Sequence, residues 1–188
     1  MKKLKFFIIL GISVLLLVMI FFGFIYKGSL STIKASSSLT QDELVERGAY
    51  LARMGNCLAC HSDPSDQGPL TFAGGHGLPL PIGMVYGTNI TPDKTTGIGQ
   101  YSLRDFDNAV RYGVRKDGDS LYPAMPYPAY AAIKDDDIEA LYAYFMHGVT
   151  PMIKENKQVD VRWPLSMRWP LAAWRMMFAP KVESQAMN

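Results

Sequence analysis

Cys57-Leu58-Ala59-Cys60-His61 is the stretch on which the reading of this chain turns. Two thiols spaced C-x-x-C can each add across a vinyl group of a haem, and the histidine that follows then lies under the iron as its proximal ligand. Two other chemistries use paired cysteines. A thioredoxin-like dithiol needs the pair at a helix start after a buried strand; here the pair follows a helical pattern, and no βαβ unit flanks it. A structural zinc site needs about four Cys and His ligands in a closed shell. The chain has 2 Cys and 3 His, and the other histidines, His76 and His147, fall in a Gly-rich loop and at a helix end. The motif therefore reads as one covalent haem c on Cys57 and Cys60, with His61 on the iron.

Outward from the motif, the 188 residues suffice for one domain with extensions. With 19 basic and 17 acidic side chains, the formal net charge is +2, and no basic stripe with interleaved aromatics points to nucleic acid. Lys2, Lys3 and Lys5 precede an unbroken apolar run from Phe6 to Tyr26. A signal-peptide core is about 7–15 residues long and a bilayer span about 20, so the run has the length of a span. Ile33-Lys34-Ala35 is a poor cleavage site. Residues 1–27 are thus expected to be a transmembrane anchor, with a removed signal as the alternative. The lysines orient the amino end to the cytoplasm, which places the haem domain in the periplasm. Residues 28–39, Ser-rich and without apolar periodicity, read as a flexible linker.

The haem domain is expected over 40–150. Thr40-x-x-Glu43 is a capping-box pattern, after which Leu44, Gly48, Leu51 and Ala52 share a helix face. Gly48 on that face suits a close helix crossing. A second helix is expected from Leu103 to about Tyr112, capped by Ser102 and stopped by Gly113. A third opens on Asp135, Asp136 and Asp137, where the helix dipole favours a solvated negative start. It carries Ile138, Leu141, Tyr142 and Phe145 as its stripe and ends at Gly148 and Pro151. The Gly- and Pro-rich stretch 63–100 is too long for an ordinary connection and reads as an ordered wrap around the haem.

For the sixth iron position the chain offers many of its 11 methionines. Met54 lies too close to Cys57 to reach the opposite face, and Met146 stands beside Phe145 as core. Met125 stands in Tyr122-Pro123-Ala124-Met125-Pro126-Tyr127-Pro128, where the prolines stiffen an extended loop. Such a loop presents one soft sulfur at a fixed place, and sulfur favours reduced iron. Met125 is the expected ligand; Met84, Met152 and His76 are the alternatives. Arg111 and Arg115 are candidates to meet the haem propionates.

A family resemblance joins these pieces. It rests on Gly48-Ala49-Tyr50-Leu51-Ala52-Arg53, on Thr88-Asn89-Ile90-Thr91-Pro92-Asp93 with Thr96-Gly97-Ile98-Gly99, and on Ser102-Leu103-x-x-Phe106. It continues through Gly113-Val114-Arg115-Lys116-Asp117-Gly118, Leu121-Tyr122-Pro123-Ala124-Met125-Pro126-Tyr127 and Leu141-Tyr142-Ala143-Tyr144-Phe145-Met146-His147-Gly148. From about Gly48 to Gly148 the chain resembles the first haem domain of multi-haem cytochrome c subunits of membrane-bound alcohol, gluconate and aldehyde dehydrogenases. These are class I c-type cytochromes. The resemblance implies an all-α cytochrome c fold, haem c on Cys57 and Cys60, and axial ligation by His61 and Met125. It also implies electron transfer from a periplasmic dehydrogenase to quinone, a terminal oxidase or another respiratory carrier. Two features depart from the family: there is one C-x-x-C-H site, and His76-Gly77 looks inserted.

The tail, 151–188, holds all 3 Trp among Arg, Met and Pro. A partner-binding arm, an interfacial membrane segment and a strap packed on its own domain all fit that composition. The reading is then a membrane-tethered monohaem electron carrier, not an enzyme in its own right. Its rivals are a haem enzyme or sensor with an open sixth site, and a structural subunit that only anchors a catalytic partner.

Overall fold

The computed structural model describes residues 2–26, 30–65 and 71–182. Helix α2 (Gln41–Met54) begins as expected: Thr40 Oγ1 accepts from the Glu43 amide, and the Thr40 amide donates to Glu43 Oε2 at 2.8 Å. Helix α3 (Cys57–His61) follows at once. Helix α4 (Leu103–Val110) is started by a second capping box, Ser102 with Asp105, and ends slightly before the expected Tyr112. Helix α5 is one turn (Tyr127–Tyr130), and α6 runs Asp135–Ala143 before loosening into a π-helical turn (Tyr144–Gly148).

The core lies where α2, α4 and α6 meet. Ala52, Phe106, Ile138, Leu141 and Phe145 are buried together, and Phe72 from the wrap stacks edge-on to Phe145. Gly48 makes the α2–α6 crossing possible. A Cβ there would collide with the Ala140 carbonyl and lie 2.6 Å from Tyr144 Cβ. The aspartates of α6 do more than sit in solvent. Asp135 pairs with Arg111 at 2.8 Å and Asp137 with Arg47 at 2.5 Å.

An all-α fold was expected, and the structure departs from it by a small sheet. Strands β1 (Gly77–Leu80) and β2 (Gly83–Tyr86) form an antiparallel hairpin, and β3 (Asp160–Val161) adds to its other edge. The His76-Gly77 insertion lies where β1 begins. The molecule is helix-rich with one three-stranded sheet.

Both extensions of the domain are held to it. In the stretch expected to be a free linker, the described residues 30–39 lie along the domain: Ile33 enters the main core, and Ser31 Oγ donates to Asp107 Oδ2 at 2.5 Å. Past residue 150 the chain stays attached. Asn89 Nδ2 donates to the Met152 carbonyl at 2.7 Å, and Lys157 donates to the Gly75 carbonyl at 2.9 Å. Helix α7 (Trp169–Phe178) buries Ala172 and Arg175.

Helix α1 (Lys2–Tyr26) touches α7, and those of its side chains that are described are exposed. Their longest unbroken stretch, 5–18, is shorter than the ~20 residues of a span. Among the described residues no helix is long and apolar enough to cross a membrane, so the expected transmembrane helix is not established by the structure.

Candidate haem-attachment site

Between α2 and α3 the chain turns on Asn56, which takes the left-handed conformation at φ 53°, ψ 33°. Asparagine tolerates this better than most residues. The turn separates the cysteine helix from the core helix before it. On α3, Cys57 and Cys60 are three residues apart and so share a face, and both are half-buried. Burial pushes the Cys57 thiol up to about 11. A thiol held protonated is the opposite of the depressed thiolate that dithiol oxidoreductases use. Among the described residues no group of three or more His, Cys, Asp or Glu could hold a metal ion.

His61 Nδ1 lies 2.7 Å from the Thr88 carbonyl oxygen. A carbonyl can only accept, so Nδ1 carries the proton and Nε2 keeps a free lone pair. A second partner that fixes tautomer and ring orientation in this way is the usual mark of a metal-ligating histidine. Burial holds the His61 imidazole below its ordinary range, in the neutral form that ligation needs.

The wrap supplies the wall behind this histidine. Gly74 N donates to the His61 carbonyl at 2.8 Å, and Gly87 runs so close to α3 that a Cβ would collide with the Cys60 carbonyl. The ordered wrap expected from the sequence is therefore seen over its described residues. His76 belongs to this wall: its carbonyl accepts from Gly87 N at 2.9 Å. Met84 lies on β2, its sulfur against Gly77, and Met152 is bound through its backbone to Asn89 and Thr91.

The Met125 loop approaches the motif from another element. Met125 is half-buried, its amide donating to the Tyr122 carbonyl and its carbonyl accepting from Tyr127 N at 2.8 Å. The loop leads into α5, whose Tyr130 donates to the Gly55 carbonyl at 2.7 Å. The Tyr130 phenol is pushed up chiefly by burial and then by Cys57 and Cys60, so it stands beside both thiols. Sequence reasoning missed Thr88 and Tyr130. A backbone acceptor leaves no side-chain signal, while Tyr130 gave one in its nearness to Met125.

The arginines differ from expectation. Arg111 is bound by Asp107, Asp135 and the Ile133 carbonyl. Arg115 is exposed and pairs with Asp117 at 2.9 Å. Arg111 is thus committed to protein partners, whereas Arg115 remains exposed beside Asp117. Among the described residues, the buried atoms Ser120 Oγ, Tyr127 Oη and Arg175 Nε have no hydrogen-bond partner. The first two flank the Met125 loop. Orphaned donors there, a neutral histidine and two thiols on one helix face together fit a covalently held haem.

Comparison with known proteins decides the kinship. The chain is 59% identical over 157 residues to the gluconate 2-dehydrogenase cytochrome c subunit of Pantoea cypripedii, covering 84% of this chain and 35% of that protein. It is 54% identical over 149 residues to the cytochrome c subunit of the quinone alcohol dehydrogenase of Gluconacetobacter polyoxogenes, covering 79% and 31%. The fructose dehydrogenase cytochrome subunit of Gluconobacter japonicus is 43% identical over 141 residues, covering 75% and 28%. The chain is a homologue of dehydrogenase cytochrome c subunits. No family model matches it. This cytochrome homologue spans about a third of the length of the curated relatives first matched, whose names describe cytochrome c subunits.

Proposed function

We propose that this chain is a monohaem electron carrier. Cys57 and Cys60 would hold one haem c, and His61 and Met125 would be its axial ligands. The haem supplies one-electron redox chemistry; the chain's residues hold it, orient it and set its environment. His61 is oriented by the Thr88 carbonyl and kept neutral by burial. The oriented, neutral histidine directly after a C-x-x-C helix is the observation that carries the reading.

The donor in this proposal is a periplasmic dehydrogenase for an alcohol, sugar or sugar acid, and the acceptor a quinone, oxidase or second cytochrome of the respiratory chain. Helix α1 serves as an anchor in the cell membrane, amino end cytoplasmic, with the haem domain in the periplasm. The apolar sequence from Phe6 to Tyr26 and the lysines before it support this. Next to it, α7 exposes Met176, Met177 and Phe178, and Trp163 is exposed before it, a set suited to a membrane interface.

The test is reduction of the purified ferric protein by a dehydrogenase from the same cells on addition of that enzyme's substrate. Rapid appearance of the reduced haem spectrum is expected. A haem that stays oxidised through turnover marks a structural subunit. Ready binding of carbon monoxide by the wild-type ferrous protein marks an open-site enzyme or sensor.

A further inference from the structure

Arg175 stands on the inward face of α7 with Leu171 and Ala172, and is 6% exposed. Among the described residues its Nε has no hydrogen-bond partner. An arginine cannot escape burial by losing its proton, and a buried charge without a counter-charge is strongly unfavourable. The same chain shows how it satisfies such a group on its own. Arg111, 2% exposed, is enclosed by the carboxylates of Asp107 and Asp135. Among the described residues no carboxylate pairs with Arg175; burial weighs against its charge, and Tyr127 is the group that favours it.

Tyr127 is the matching half. It is fully buried, and its Oη also lacks a partner. Its ring is pressed against Gly113, where a Cβ would come within 2.6 Å of it. Along the chain it lies between Met125, the proposed ligand two residues before, and Tyr130, beside both thiols, three residues after. A guanidinium Nε–H and a phenol O–H, both buried with hydrogens to donate and no partner among the described residues, suit a ligand with several acceptor oxygens and a negative charge. A carboxylate has both.

We propose that Arg175 and Tyr127 form a carboxylate site that receives a propionate of the haem, making α7 a wall of the haem pocket. This rests on the haem reading above. It gives the tail a role within the domain and replaces Arg111 and Arg115 as the cationic partner.

The test uses the full-length haem-loaded protein with R175M, R175K and Y127F, reading the propionate bending band in resonance Raman and the reduction potential. R175M should shift the band and lower the potential, since a cation that favours the reduced iron is lost. R175K should keep the potential near wild type while the band moves, because charge is kept and the two-pronged hydrogen bond is lost. Y127F should move the band. Should R175M not fold, R175K and Y127F still decide. Unmoved band and potential in variants that retain low-spin haem overturn the proposal. Shifts seen only when a dehydrogenase partner is added assign the site to a partner's carboxylate, and also overturn it. A wild-type protein without acid-resistant haem instead overturns the haem reading.

Discussion

His61 depends on one backbone oxygen. The Thr88 carbonyl is brought within 2.7 Å of Nδ1 because Gly87 lets the wrap run against Cys60. Met125 is held in a loop whose two backbone hydrogen bonds and flanking prolines fix its path. Met125→Ala is expected to lower the reduction potential and let carbon monoxide bind the ferrous haem, since thioether ligation favours Fe(II). The weak oxidised-state charge-transfer band of sulfur–iron bonding should vanish with it. If that band survives in Met125→Ala and disappears in Met84→Ala or His76→Ala, the ligand is misassigned. His61 and Met125 are proposed ligands because side-chain chemistry and flanking residues point to them. Arg175 is less legible in the sequence. A lone arginine beside Trp174 looks like surface, and only its helical spacing with Leu171 and Ala172 places it on the buried face.

Elements were legible where their signals are local. Thr40 with Glu43 and Ser102 with Asp105 start α2 and α4 as their spacing requires, and both capping boxes close in the structure. Strands β1 and β2 were not foreseen. Leu78-Pro79-Leu80-Pro81 carries turn residues, and pairing with a two-residue β3 more than seventy residues away has no local signature. The 30–39 stretch misled for the same reason: one Ile33 and one Ser31 attach it, to partners distant in sequence. The helix crossing gives a test at this scale. Gly48→Ala forces the added methyl into the Ala140 backbone, which cannot yield as a flexible side chain would. Overpacking of this kind costs about 1–3 kcal/mol. Chemical denaturation of the haem-loaded protein should show that loss with an unchanged m-value; wild-type stability would mean that α2 and α6 pack less tightly than described.

At the scale of the whole molecule, one haem motif organises three segments from separate parts of the chain. In the proposed carrier the cysteine helix offers the attachment points, the Gly-rich wrap sets the histidine, the loop before α5 carries Met125, and α5 itself carries Tyr127 and Tyr130. The 151–161 strap and α7 then close over the wrap and the loop. The central claim is that the cofactor is covalently held, one per chain, on Cys57 and Cys60. The most direct measurement is the intact mass of the protein after denaturation and acid–acetone extraction, with Cys57→Ala/Cys60→Ala beside it. The account predicts a mass increased by one haem in the wild type and by none in the double variant. Recovery of the wild-type chain at its bare polypeptide mass, with all the haem in the acetone, would contradict it.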